Sequence, residues 1–171
     1  MGKKDTAKII KSTPKVYRRN RPNDYLKYHR IIMAWARKKY KISTVHLEML
    51  FFLYSEDIFT QTKFKEYSMI MPFDRHKLER MIQDGWIRKW RSEEDHRYAL
   101  YEMTLAAKYM VAAIYKKFNG EQVISESVAS NELMDKTNKH TRMYSIGIKR
   151  MNKQLRMKKI EERKKLINPD D

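Results

Sequence analysis

The stretch FDRHKLERMIQDGWIRKWRSEEDHRYALYEMT, from Phe73 to Thr104, contains the patterns that decide the fold. Its first part places apolar residues at helical spacing with basic residues opposite, which predicts a helix over 73–83 that ends at Gly85. The segments 86–91 and 97–103 are rich in aromatic and long apolar residues and flank a polar stretch. They predict a two-stranded hairpin with a charged tip.

Three further helices are predicted before this stretch. The first covers 24–40, with Asn23 or Asp24 as its N-cap, and the second starts at a Ser43 or Thr44 cap. Residues 45–54 are apolar on nearly every side, so we expect the second helix to be the most buried element. Thr60 starts a short third helix.

Thr104 is the predicted N-cap of a long apolar helix that runs to Phe118 and stops at Asn119 and Gly120. One or two more helices are expected after a polar connector. The fold class is therefore mainly α with a small β-hairpin, in the order of a winged helix-turn-helix flanked by further helices.

The net charge of +17 is unevenly distributed along the 171 residues. Residues 1–41 hold 14 basic and 2 acidic residues, 42–120 hold 12 and 11, and 121–171 hold 12 and 8. We divide the chain into a flexible basic arm (1–22), a winged-helix domain (23–120) and a basic helical extension (121–171). Such an excess of positive charge suits a polyanionic partner, and nucleic acid is the first candidate.

The predicted fourth helix is narrow enough for a major groove, and the hairpin adds basic residues beside it. Arginine can bridge guanine O6 and N7, whereas lysine and histidine reach bases or phosphates. The candidate DNA contacts are Arg75, His76, Lys77, Arg80, Arg88, Lys89, Arg91 and Arg97, with Lys15, Arg18, Arg19 and Arg21 in the arm. The alternatives are a solvated helix face and a tail that serves solubility alone.

At these residues the sequence resembles the multiple-antibiotic-resistance regulator (MarR) type of winged helix. The segment LERMIQDGWIRK, 78–89, is similar to the family's recognition helix that ends at Gly before a wing strand. The segment 95–104 resembles its wing-tip Asp-x-Arg and its Leu-Thr helix start, with Met103 in place of Leu. The resemblance covers about residues 24–120 and implies a homodimer that reads a twofold operator with two recognition helices.

Two features depart from that family. Ala107 stands where Gly commonly follows the Leu-Thr pair, and the hairpin tip carries Glu93, Glu94 and Asp95. Three carboxylates oppose insertion between phosphates, so either Arg97 makes the contact alone or the hairpin stays off the DNA.

The first and last helices carry apolar stripes that exceed what a core of about 80 residues covers. Together with the resemblance, they predict a homodimer interface. Its expected residues are Tyr25, Tyr28, Ile32, Trp35, Tyr144, Ile148, Met151 and Leu155.

Catalytic and metal chemistry have little support in the sequence. There is no cysteine, and the five histidines show no metal-binding spacing. No glycine-rich phosphate loop occurs, and neither a membrane span nor a secretory signal is expected, so we predict a cytoplasmic protein that is not an enzyme and needs no cofactor.

Three functions fit these patterns. The first is a dimeric regulator of transcription that binds double-stranded DNA. The second is a nucleoprotein or virion-type structural component that binds nucleic acid without sequence preference and contacts other structural proteins. The third is a protein-interaction module built on a winged helix.

Overall fold

The computed structural model describes residues 26–71, 74–91, 99–137 and 139–167 of the chain. Within them the protein is mainly helical with a small antiparallel sheet. The helices are α1 His29–Tyr40, α2 Thr44–Leu53, α3 Gln61–Glu66, α4 Arg75–Gln83, α5 Leu105–Phe118 and α6 Lys139–Ile167, and the strands are β1 Phe59–Thr60, β2 Ile87–Arg91 and β3 Leu100–Met103.

Side-chain caps fix the starts of four helices. The side chains of Ser43, Thr60 and Thr104 accept hydrogen bonds from the backbone N–H three residues later, at 3.1, 3.1 and 3.3 Å. These three predicted caps are confirmed. Asp74 caps α4 in the same way at 2.8 Å, so α4 begins at Arg75 and not at Phe73. Gly85, with φ +77°, follows the end of α4 as predicted.

Helix α1 begins at His29, later than the predicted residue 24. Tyr28 has φ −117° and ψ 7°, which lies outside helical geometry, and the N–H of His29 bonds to the carbonyl of Leu26 in a turn. Because this turn precedes the helix, residues 26–28 are not its first turn. The proposed caps Asn23 and Asp24 lie outside the described residues.

The predicted hairpin is present, and a third strand joins it. Strand β3 lies between β1 and β2, with Ile87 opposite Met103 and Phe59 opposite Tyr101. Strand β1 has only two residues and ends at the cap of α3, so it carries no alternating pattern that would reveal it in the sequence.

The hydrophobic core receives buried residues from all six helices and from the three strands. In α2, Leu47, Met49, Leu50 and Leu53 are completely buried, which agrees with the expectation that this helix is the most buried. Ile148 and Met151 of α6 belong to the same buried cluster. The core therefore extends beyond residue 120.

The C-terminal region contains one helix of 29 residues after the connector. Helix α6 packs closely against α1 at Gly147, since a Cβ atom there would lie 2.7 Å from Cδ1 of Ile31. The connector between α5 and α6 contains three buried apolar residues, Ile124, Leu133 and Met134. It is polar by composition but contributes to the core.

Candidate nucleic-acid interface

Helix α4 presents a basic outer face and is held on the core by its inner face. Leu78 and Met81 are buried, whereas the Arg75 and His76 side chains are 71% and 94% exposed. Arg80 is also mostly exposed. The predicted separation of apolar and basic residues on this helix is confirmed.

The arginines of α4 both lie beside a carboxylate one turn later. Nε of Arg75 donates to Oε1 of Glu79 at 2.8 Å, and Nε of Arg80 lies 3.3 Å from Oδ1 of Asp84. His76 Nδ1 is 4.0 Å from the other Glu79 oxygen. The side chains that the sequence assigns to base contacts therefore already lie beside carboxylates.

Lys77 is paired across the start of the same helix. Its Nζ donates to Oδ2 of Asp74 at 2.6 Å, while its backbone N–H donates to Oδ1. These hydrogen bonds lower the pKa of the Asp74 carboxyl, since both stabilise the ionised form. Lys77 is therefore part of the helix cap as well as of the basic face.

Two basic residues of β2 differ in their surroundings. The guanidinium of Arg88 contacts Oε1 of Glu102 on β3, through Nε at 2.8 Å and through a terminal nitrogen at 2.7 Å. Lys89 is exposed, and no carboxylate lies within 4.0 Å of it in the described part of the chain. Unlike Arg88, Lys89 therefore has no acidic partner within the described chain.

Several predicted contacts fall outside the described residues. They are the Arg91 side chain, Arg97, the acidic tip 93–95, and Lys15, Arg18, Arg19 and Arg21 of the arm.

The residues predicted to form a dimer interface are largely covered within one chain. Ile32, Trp35, Ile148 and Met151 are buried in the core, and Tyr28, Tyr144 and Leu155 pack against it. Tyr25 lies outside the described residues. The apolar residues of α1 and α6 are therefore covered by each other and by the connector. The sequence did not reveal this packing. The homodimer itself stays a prediction.

A second basic surface lies on the outer side of α6, among Arg142, Lys149, Arg150 and Lys153. All four are exposed, and in the described ranges no carboxylate lies within 4.0 Å of any of them. Other α6 cations are engaged: Arg156 binds Glu126 at 3.0 Å, and Lys159 donates to the carbonyl of Glu121 at 2.7 Å. The excess of basic residues after 141 was visible in the sequence, but this division into free and engaged cations was not.

The sequence contained a signal for the carboxylates that pair with the arginines of α4, but it was not recognised. Arg75 and Glu79, and likewise Arg80 and Asp84, stand four residues apart in a predicted helix, a spacing at which side chains meet. Residues 74–84 contain three basic and three acidic side chains, so the helix has no formal excess charge apart from His76.

The described ranges hold no group of three or more His, Asp or Glu side chains arranged to bind a metal ion. None of the helices described is both long and apolar enough to cross a membrane. Comparison with protein-family models, with curated proteins and with solved structures finds no match to this chain.

Proposed function

We propose that this protein is a winged-helix protein that binds double-stranded DNA as a homodimer and regulates transcription. The observation that carries this proposal is the exposed N-terminal half of α4, where Arg75 and His76 project from a helix anchored by Leu78 and Met81. Recognition helices contact bases mainly through their N-terminal residues. Strands β2 and β3 follow α4 and pair antiparallel, which supports their interpretation as a wing.

The ion pairs on α4 are compatible with DNA binding because they are weak. An exposed pair such as Arg75–Glu79 contributes about 0 to 1 kcal/mol, whereas a bidentate contact to guanine contributes about 1 to 3 kcal/mol. At the correct DNA sequence, the Arg75 guanidinium therefore gains free energy when it leaves Glu79 and contacts guanine. On random DNA, the pair competes with a contact of similar strength.

A second function is favoured by a different observation. The four exposed cations of α6 between residues 142 and 153 have no acidic partners in the described chain, whereas Arg75 and Arg80 of α4 do. A surface of this kind attracts phosphate without reading sequence. We therefore retain a structural nucleoprotein that binds nucleic acid nonspecifically as the alternative.

Selection of duplexes from a random-sequence pool with the full-length protein separates the two functions. The regulator predicts enrichment of a palindrome, because a twofold dimer reads two equivalent half-sites. Affinity without any enriched sequence would support the structural nucleoprotein instead. Absence of binding at low salt would overturn both and leave a protein-interaction module.

The homodimer in this proposal needs an exposed apolar surface. Leu105 and Tyr109 on α5 are 66% and 71% exposed and stand one helical turn apart. A contact with a second copy would cover them, since the core of the chain leaves them in solvent.

A further inference from the structure

A cleft of about 360 Å³ lies between the end of the connector and the first turns of α6. It is lined by Lys136, Arg142, Ser145, Ile146 and Lys149. Its volume falls at the lower end of the range of about 300 to 1,000 Å³ that is usual for ligand sites.

Positive charge dominates this cleft. Lys136, Arg142 and Lys149 are exposed, and none has a carboxylate within 4.0 Å among the described residues. The nearest acid along the chain, Asp135, accepts hydrogen bonds from the backbone N–H and hydroxyl of Thr137 at 2.9 and 3.0 Å. These hydrogen bonds lower the pKa of Asp135 and hold its carboxylate on Thr137.

A serine hydroxyl also lines the cleft. Ser145 is 2% exposed, yet its hydroxyl has no hydrogen-bond partner within the ranges that the structure describes. The hydroxyl oxygen is not enclosed by protein atoms, so it meets solvent in the cleft. A ligand oxygen there would accept a hydrogen bond from it.

The start of α6 does not neutralise these cations. The first turn of α6 contains no acidic residue. A bound anion would therefore be attracted by the three basic side chains without competition from an acid at the helix start.

We propose that this cleft binds a phosphate group. Three cations and a hydroxyl donor suit an anion that carries more than one negative charge and several acceptor oxygens, which describes phosphate better than a carboxylate. The phosphate comes either from a nucleic-acid backbone or from a free phosphorylated compound. The cleft does not depend on the DNA-reading role of α4.

Inorganic phosphate is the probe for the first test. Phosphate is titrated into the full-length protein at constant ionic strength, while the backbone amide resonances of Ser145 and Ile146 are followed by NMR. We expect saturable shifts, a loss of affinity of about tenfold in the Arg142→Gln/Lys149→Gln variant, and a smaller loss in Ser145→Ala. The control Arg163→Gln/Lys164→Gln removes the same charge from exposed positions at the far end of α6 and keeps phosphate affinity.

Two outcomes would overturn the proposal. One is the absence of saturable shifts at these amides, and the other is an equal loss of affinity in the control, which would indicate attraction to net charge alone. A duplex competition then identifies the source of the phosphate. Displacement of inorganic phosphate by DNA assigns the cleft to the backbone, whereas retained binding assigns it to a free phosphorylated compound. Arg75→Ala leaves phosphate affinity unchanged, so failure of the proposed DNA-reading function is distinguishable from failure of the cleft.

Discussion

The side-chain amide of Asn152 forms two hydrogen bonds with the backbone of Ile124. Its Nδ2 donates to the Ile124 carbonyl at 2.7 Å, and its Oδ1 accepts from the Ile124 N–H at 3.2 Å. Both residues are completely buried. Asn152 therefore replaces the backbone partner that Ile124 would have in a regular element, and this pairing joins the connector to α6.

Replacing Asn152 with leucine is expected to lower the free energy of unfolding by about 3 kcal/mol. Leucine has a similar size, but it leaves the buried N–H and carbonyl of Ile124 unpaired, at about 1 to 3 kcal/mol for each group. Urea unfolding followed by circular dichroism measures the change. Asn119→Ala, which removes an exposed bond to Glu121, serves as the control and is expected to cost less than about 1 kcal/mol. Equal losses in the two variants would contradict the importance of this pairing.

The ammonium group of Lys117 lies 4.6 Å from the centroid of the Trp35 ring and donates to Oε1 of Gln122. Burial lowers the pKa of Lys117, and the nearby charge of Lys39 lowers it further. Between the folded and the unfolded pKa, the unfolded chain binds more protons. The free energy of unfolding therefore rises with pH across that interval, and the burial penalty is fully present below it.

We expect the Lys117→Met variant to lack this rise in stability, because methionine has no proton to release. Urea unfolding at a series of pH values from neutral toward the usual lysine pKa, about 10.4, tests it. Lys116→Met, on the exposed side of the same helix turn, is the control and is expected to retain the rise. An unchanged pH dependence in Lys117→Met would show that another group is responsible.

The local structure was more predictable from the sequence than the packing. Ser43, Thr60 and Thr104 mark helix starts because a cap needs only a residue three positions away. The position of α6 depends on contacts such as Asn152 with Ile124, 28 residues apart, and on the close approach at Gly147. No periodicity within a helix encodes such contacts. For the same reason, Ile32 and Ile148 were expected at an interface between chains and lie in the core of one chain.

The Arg75→Ala variant is expected to weaken binding to a selected duplex by about 1 to 3 kcal/mol, if Arg75 makes a bidentate base contact. Glu79→Gln is expected to strengthen binding, because it releases Arg75 and removes a negative charge beside the phosphates. Fluorescence anisotropy on selected and random duplexes measures both effects. Arg163→Ala, which removes the same side chain from the far end of α6, is the control. Equal losses on both duplexes would reduce Arg75 to a phosphate contact.

Deletion of residues 1–22 is expected to leave the thermal unfolding midpoint nearly unchanged, since this segment has little apolar content. The slope of log affinity against log salt concentration is expected to decrease, because fewer counterions are released when the arm is missing. Binding isotherms at several salt concentrations give the slope. An unchanged slope would show that the arm does not contact nucleic acid.

The homodimer is tested by comparing an exposed apolar residue with a buried one. Tyr109→Glu places a charge on the exposed face of α5 and is expected to yield a folded monomer. Ile32→Glu places a charge in the core at a cost of several kcal/mol, so we expect this variant to unfold and not simply to dissociate. Light scattering gives the mass of each variant and circular dichroism its helix content. A folded monomer of the unmodified protein at micromolar concentration would overturn the dimer, and with it the expectation of a palindromic site. A folded monomer of Ile32→Glu would show that Ile32 lies at the dimer interface and not in the core, because a buried core residue would not tolerate the charge.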